Sequence, residues 1–255
     1  MGELDKILWY LKRPRLYPQL VYRYRKKLFG KSYPKELKQQ AKLWCASHSV
    51  ETREAILKLT GVPFTKGVKE IYPSDFMEAE ERASHVPVRM GGPANLDLLY
   101  CVAEHAQAKN VIETGVAFGW SSLALLLSLQ KRVGSMLIST DMPYPNRDND
   151  EYVGCVVPEH LKQYWTILNY ADRQAIPKAI KKIGSVDMCH YDSDKNYFSR
   201  MWAYPRLWKA LRSGGIFLSD DIGDNLAFCD FAKDVNSDPL IIQTETNYVG
   251  VLLKN

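Results

Sequence analysis

The residues with the most chemistry to offer are Asp192, Asp194 and Lys195, within Tyr191-Asp192-Ser193-Asp194-Lys195-Asn196-Tyr197, and the pair Asp220-Asp221 after the apolar run 216–219. If both stretches end parallel strands, they emerge on one edge of a sheet and Asp192, Asp220 and Asp221 converge. Three carboxylates at close quarters repel unless they are protonated or neutralised. A hard divalent cation removes that repulsion. Oxygen-only ligands with no nearby Cys or His favour magnesium, calcium or manganese over zinc. The competing reading is that these aspartates cap helices and face water. On the metal reading, Asp192, Asp220 and Asp221 hold the ion, magnesium foremost, which binds a hydroxyl oxygen and lowers its pKa. Lys195 then takes the proton if nearby positive charge depresses its own pKa, with Asp194 as the other candidate base.

A second constellation begins at Glu113-Thr114-Gly115-Val116-Ala117-Phe118-Gly119-Trp120-Ser121-Ser122. A strand, a glycine turn and a helix start bring backbone N–H groups close to a ligand. The spacing is GxxxG and lacks the middle glycine that a pyrophosphate needs, which weighs against a dinucleotide. Asp141 ends the next apolar run, where a carboxylate can accept both ribose hydroxyls. Asp172 follows a third run and is placed to meet an adenine amino group. Read together and in this order, the features point to an adenosine-containing ligand.

The elements that must position these residues follow from periodicity. From Asn110 onward, short apolar runs (111–114, 136–140, 165–170, 186–191 and 216–219) alternate with helical stretches (120–131, 172–182 and 198–211). Near-continuous apolar strands separated by helices predict a parallel sheet covered on both faces. The last two runs, 240–244 and 248–253, are three residues apart, too few for a helical crossover, so they form an antiparallel pair. The expected fold is α/β, a Rossmann-like doubly wound sheet of five parallel strands plus a C-terminal antiparallel hairpin, with an N-terminal helical extension. Residues 36–60 read as helix ended by Gly61-Val62-Pro63, and helices are expected at 75–84 and 94–108. The chain then divides into a basic aromatic arm (1–35), a helical extension (36–92) and a catalytic domain (93–255).

These motifs resemble the class I S-adenosylmethionine-dependent methyltransferases over roughly residues 90–255, terminal hairpin included. The resemblance implies that S-adenosyl-L-methionine is the cofactor. Glu113 and Gly115 would line its methionine part, Asp141 would hold the ribose, and Asp172 would sit by the adenine, with Gly119 and Ser121 also counted among the cofactor-binding residues. Within that class, the run 191–197 is similar to the metal-dependent catechol and caffeoyl-coenzyme A O-methyltransferases, while Asp220-Asp221 is more similar to the sugar O-methyltransferases. The text of the arm (Arg13-Pro14-Arg15-Leu16-Tyr17-Pro18, then Trp44-Cys45) resembles methyltransferases of polysaccharide biosynthesis. The expected activity is O-methylation of a small-molecule or glycan hydroxyl. A catechol or phenol acceptor, or a catalytically silent cofactor-binding subunit that docks at a membrane, are the alternatives. His85, Arg89 and Tyr144 are possible substrate contacts. The polar loop 142–158 reads as a lid. His48, His105 and His160 read as packing or surface residues, and His190 as buried and without a role.

Composition narrows the classes. Of 255 residues, 46% are hydrophobic and 25% charged, an ordinary globular profile. The net charge of +5 is uneven: residues 1–35 carry ten Lys/Arg against two Asp/Glu, and the remainder is mildly acidic. This argues against a nucleic-acid-binding core. It leaves the arm as a solvated or dimerisation segment, or as a peripheral anchor on an anionic membrane. Five scattered cysteines without a CxxC pair fit reduced thiols. The start lacks a secretory apolar core, and the apolar stretch 120–129, interrupted by three serines, is far short of the ~20 residues that span a bilayer. A cytoplasmic homo-oligomer, peripheral at the inner face of a membrane through its arm, is the expected setting.

Overall fold

In the computed structural model, residues 3–30, 33–145, 147 and 149–255 are described, apart from the side chains of Glu3 and Lys35. Residues 1, 2, 31 and 32 of the arm and 146 and 148 of the expected lid lie outside the described residues. The N-terminal part holds α1 (Glu3–Leu11), α2 (Tyr17–Phe29), α3 (Lys35–His48), β1 (Ser49–Val50), α4 (Thr52–Thr60), α5 (Val68–Ile71), α6 (Pro73–Ser84) and α7 (Leu96–His105). There follow β2 (Asn110–Thr114), α8 (Trp120–Leu129), β3 (Met136–Thr140), β4 (Trp165–Leu168), α9 (Asp172–Ile183), β5 (Val186–Tyr191), α10 (Tyr197–Ala210), β6 (Leu211–Ser219), α11 (Ala227–Asp234), β7 (Leu240–Gln243) and β8 (Tyr248–Leu253).

The strands form one mixed sheet in the order β1-β7-β8-β6-β5-β2-β3-β4. The neighbours from β4 across to β6 pair in parallel, whereas β8 is antiparallel to both β6 and β7. The sheet is wider than the expected five strands plus hairpin. Ser49 and Val50, inside a stretch read as one continuous helix, pair in parallel with Ile241 and Ile242 and add an eighth strand.

Alternation along the strands builds two cores. Val111, Leu137, Met188, Leu218 and Val251 face one side, with α4, α7 and α8. Their neighbours Ile112, Ile138, Cys189, Phe217 and Leu252 face the other, with α3, α9, α10 and α11. A strand with apolar side chains on both faces has to be covered on both, which is why the central runs lack a polar alternation. α8 is buried from Ser121 to Leu129, a helix enclosed on nearly every side. All five cysteines are unpaired thiols, as expected. Among the described residues, no helix is long and apolar enough to cross a membrane.

Candidate active site

The glycine turn after β2 decides where a ligand can approach. Gly115 has φ +82° and Gly119 φ +94°, and between them Ala117, which has a side chain, also lies in the left-handed region at φ +48°. A Cβ on Gly115 would run into the Asp192 carbonyl, because the ends of β2 and β5 are tied together by the Asp192 N–H to the Thr114 carbonyl at 2.9 Å. At Gly119 a Cβ would come within 3.0 Å of the Gly154 Cα, so that glycine lets the loop after β3 lie against the turn. The loop is fastened there by Gly154 N–H to the Ala117 carbonyl (2.9 Å) and Val156 N–H to the Phe118 carbonyl (3.2 Å). Replacing Gly115 with alanine combines a disfavoured φ with a clash against backbone. We expect Gly115→Ala to abolish S-adenosylhomocysteine binding in a calorimetric titration and to lower the melting temperature, whereas Gly61→Ala, at φ +69° with open space around it, should change only stability.

Beside this turn, at the C-terminal edge of β3 and β5, lies a cavity of about 320 Å³. Seven of the residues singled out from sequence line it: Gly115, Ser121, Asp141, Asp172, Asp192, Asp194 and Lys195. Tyr144 lines it too, while His85 and Arg89, both exposed, are not among its lining residues. Asp141 Oδ1 accepts the Val116 N–H at 2.9 Å, with the Ala117 N–H more distant at 3.4 Å. Burial raises the pKa of Asp141, and those N–H groups partly offset the rise. Asp172 opens α9, and its Oδ2 accepts the Ser193 hydroxyl at 2.6 Å and the Tyr191 hydroxyl at 3.3 Å. Burial pushes it up to about 6 against those two donors.

Glu113 and Gly119 lie behind the wall rather than on it. Glu113 is fully buried; its Oε2 accepts hydroxyls from Ser122 (2.5 Å) and Ser139 (2.6 Å). Its other oxygen faces His190 Nδ1 at 3.6 Å, and His190 Nε2 stands 3.4 Å from Asp220 Oδ1. Burial alone would lower the His190 pKa, but the Asp220 and Glu113 carboxylates outweigh it and hold it at about 10. These distances are long for hydrogen bonds, so the attraction is chiefly between charges.

The aspartates expected to hold a metal do reach one rim, but they are not gathered into a cage. Asp220 is turned to His190, and Asp221 pairs with the Lys195 ammonium and accepts the Asn247 amide at 2.8 Å. Lys195 Nζ also lies 3.8 Å from Asp192 Oδ1. Among the described residues, no three His, Cys, Asp or Glu side chains are arranged to hold an ion. In donor type and charge the set suits a hard cation: burial, and then repulsion from Asp220, raise Asp192 to about 6. In the arrangement observed, Lys195 and His190 supply the positive charge. Asp221, at φ +55°, turns the chain sharply after β6, and the Arg200 guanidinium steadies the turn by bonding the Asp220 and Asp221 carbonyls at 2.9 and 3.1 Å.

The arm contributes to the site. Read as a solvated or dimerisation segment or a membrane anchor, it also packs on the body: Trp9, Tyr10 and Leu16 are buried together, with Leu20 and Met142 packed against them. Arg13 stacks on Trp9 at 4.2 Å and reaches Asp150 at 2.9 Å. From α2, Gln19 and Tyr22 line the cavity itself. Tyr22 accepts a hydrogen bond from Arg173 at 3.1 Å and lies under its guanidinium, which is also stacked on Trp202. Sequence reasoning missed Tyr22, Arg173, Trp202 and Ser193. Only Ser193 carried a signal, its place between two acids of the strand-end cluster. The others reach the cavity through long-range packing. The expected lid is anchored, with Asn149 buried and its Oδ1 accepting the Tyr144 N–H at 2.8 Å.

Residues 112–222 match a family model described as a methyltransferase domain (Methyltransf_24). The chain has the methyltransferase fold. An O-methyltransferase candidate from Klebsiella pneumoniae superposes with TM-score 0.57 at 12% identity, over 83% of this chain and 99% of that one. The O-methyltransferase of Bacillus cereus in complex with S-adenosylhomocysteine gives 0.53 at 14% identity, over 82% and 100%. TomG of Streptomyces achromogenes, an O-methyltransferase of tomaymycin synthesis in complex with S-adenosylmethionine, gives 0.51 at 15%, over 88% and 100%. No curated protein sequence matches this chain. Within the matched residues 112–222, the turn after β2 and the rim after β5 face one another across the cavity.

Proposed function

We propose that the protein is an S-adenosylmethionine-dependent O-methyltransferase whose acceptor is a hydroxyl of a sugar or glycan precursor. The observation that carries the reading is the cavity itself: the Gly115 turn and the buried carboxylates Asp141 and Asp172 on one side, Asp192, Asp194 and Lys195 on the other. Fold neighbours described with S-adenosylmethionine or S-adenosylhomocysteine bound support the choice of cofactor. On this reading Asp141 takes the ribose hydroxyls and Asp172 the adenine edge, with Tyr22 and Gln19 closing the cavity above them.

The acceptor oxygen attacks the methyl carbon of the sulfonium. The C–O bond forms as the C–S bond breaks, and sulfur leaves with the electron pair as a neutral thioether. The hydroxyl proton passes to Asp194, or to Lys195 Nζ once that group has itself given up a proton, since the ammonium that pairs with Asp221 cannot accept one. Holding oxygen, methyl carbon and sulfur in line accounts for much of the rate. We include a divalent cation, magnesium by donor type, at Asp192, Asp220 and Asp221, of which Asp220 would have to turn from His190 and Asp221 from Lys195 to hold it. Bound there, it would polarise the acceptor hydroxyl and relieve the repulsion that raises Asp192.

The test is transfer of labelled methyl from S-adenosylmethionine to sugar nucleotides and to catechols, with and without chelator, beside calorimetric titration with S-adenosylhomocysteine. Failure to bind S-adenosylhomocysteine sinks the reading. Transfer to catechols alone moves the acceptor to the phenol class. Activity indifferent to chelation removes the metal and leaves the lysine chemistry.

A further inference from the structure

The arm has an outer face that the cavity does not use. On α1, Leu4, Leu8 and Leu11 recur at helical spacing and are each about half exposed or more. On α2, Tyr17, Val21 and Leu28 form a second exposed stripe, and Phe29 beside them is 82% exposed. These residues are distinct from the buried Trp9, Tyr10 and Leu16, so each helix divides into an inner face that roofs the body and an outer apolar face. Beyond Asp5, which is exposed beside Leu4, the charge on this segment has one sign. No Asp or Glu occurs between Lys6 and Lys35, and Lys12 and Arg25 are exposed. A second cleft, of about 560 Å³, opens on α2 and combines apolar walls from Val21, Phe29 and Phe198 with Arg25 and Lys26. It shares Tyr22 with the main cavity.

Apolar stripes on short helices, edged by cations once past Asp5 at the start of α1, match an anionic lipid surface: the leucines enter the acyl boundary and the cations meet headgroup phosphates. We propose that the outer face of α1 and α2 docks the protein on an anionic membrane while the inner face roofs the active-site cavity. The buried aromatics Trp9 and Tyr10 are not the anchors; Leu4, Leu8, Leu28 and Phe29 are. The cavity mouth formed by Gln19 and Tyr22 then lies close to the bilayer, within reach of an acceptor carried on a lipid.

The full chain is tested by co-sedimentation with vesicles of phosphatidylcholine alone and of phosphatidylcholine mixed with phosphatidylglycerol. Binding is expected to the mixed vesicles only and to weaken as salt is raised. The paired substitution Leu28→Glu with Phe29→Glu should weaken it by about tenfold or more, with the melting temperature and S-adenosylhomocysteine affinity unchanged as the check on folding. Arg25→Glu should weaken it less and reduce its salt dependence. The proposal is overturned by absence of binding to the mixed vesicles, or by equal binding of the paired variant. It is also overturned by a wild-type dimer in solution that the paired variant dissolves, since a second copy would then cover this face. None of these readouts requires methyl transfer, so the docking and the catalytic reading stand or fall separately.

Discussion

Lys195→Met is expected to lower kcat by roughly 100- to 10,000-fold, the range over which a positioned acid or base acts, while S-adenosylhomocysteine still binds. Lys195 spans the rim: its ammonium pairs with Asp221 and stands 3.8 Å from Asp192. The substitution therefore removes the cation that separates the carboxylates in the ammonium form, and the proton acceptor in the amine form that turnover would use. Because Lys195 lowers the pKa of Asp192, its removal should move Asp192 further above about 6. The residual activity of the variant should then show its acid limb at higher pH than the wild type. Asp194→Asn is the comparison. Asp194 Oδ1 accepts the Asn196 N–H at 2.9 Å just before α10, a local structural bond that asparagine can keep. If Asp194 only shapes that turn, Asp194→Asn retains most of the turnover. A large loss there with a small one at Lys195, in single-turnover transfer from labelled cofactor, would reverse the two roles.

How much of this was legible in the sequence depends on what each residue needs in order to be placed. β2, β3 and β5 are buried on both faces, so they are written as near-continuous apolar runs broken only by a few polar residues such as Glu113 and His190, and those runs place Asp141 and Asp192 at a shared edge. The helices of the arm were not among the expected elements, although Pro14 and Pro18 mark where two of them start. Each lies in the first turn of its helix, Pro14 in the short turn 14–16 and Pro18 in α2, where the missing N–H has no intrahelical partner to lose. β1 was invisible for another reason: two residues carry no periodicity, and it exists only because β7 offers an open edge. Expecting a three-carboxylate cage was reasonable from topology, which brings strand ends together. Topology does not say which way the side chains turn, and here Asp220 turns inward to a histidine that the sequence left without a role.

That histidine supports the second large prediction, on stability. Glu113 and His190 occupy the same rung of the β2–β5 ladder, and Ser139 extends the rung on β3. The rung is closed to solvent, with Glu113 and His190 fully buried and Asp220 nearly so. Two buried carboxylates with one imidazolium between them are tolerable; without it they are left as uncompensated buried charge, which typically costs about 3–5 kcal/mol. His190→Leu is accordingly expected to lower the melting temperature by on the order of 10 °C, taking about 2–4 °C per kcal/mol for a chain of this size. Adding Glu113→Gln should recover part of the loss by removing one of the stranded charges. The pH dependence follows from the direction of the shift. The folded-state pKa, about 10, lies above the ordinary 6.5, so the folded protein binds the proton more tightly than the unfolded chain. The stabilisation is fully present below pH 6.5 and is lost as pH rises toward 10. The wild type should therefore lose stability between pH 7 and 10 more steeply than His190→Gln, which has no proton to give up there. Chemical denaturation across that range is the measurement. Parallel curves would mean that His190 is neutral in the folded protein, and that the negative charge of Glu113 and Asp220 is balanced elsewhere.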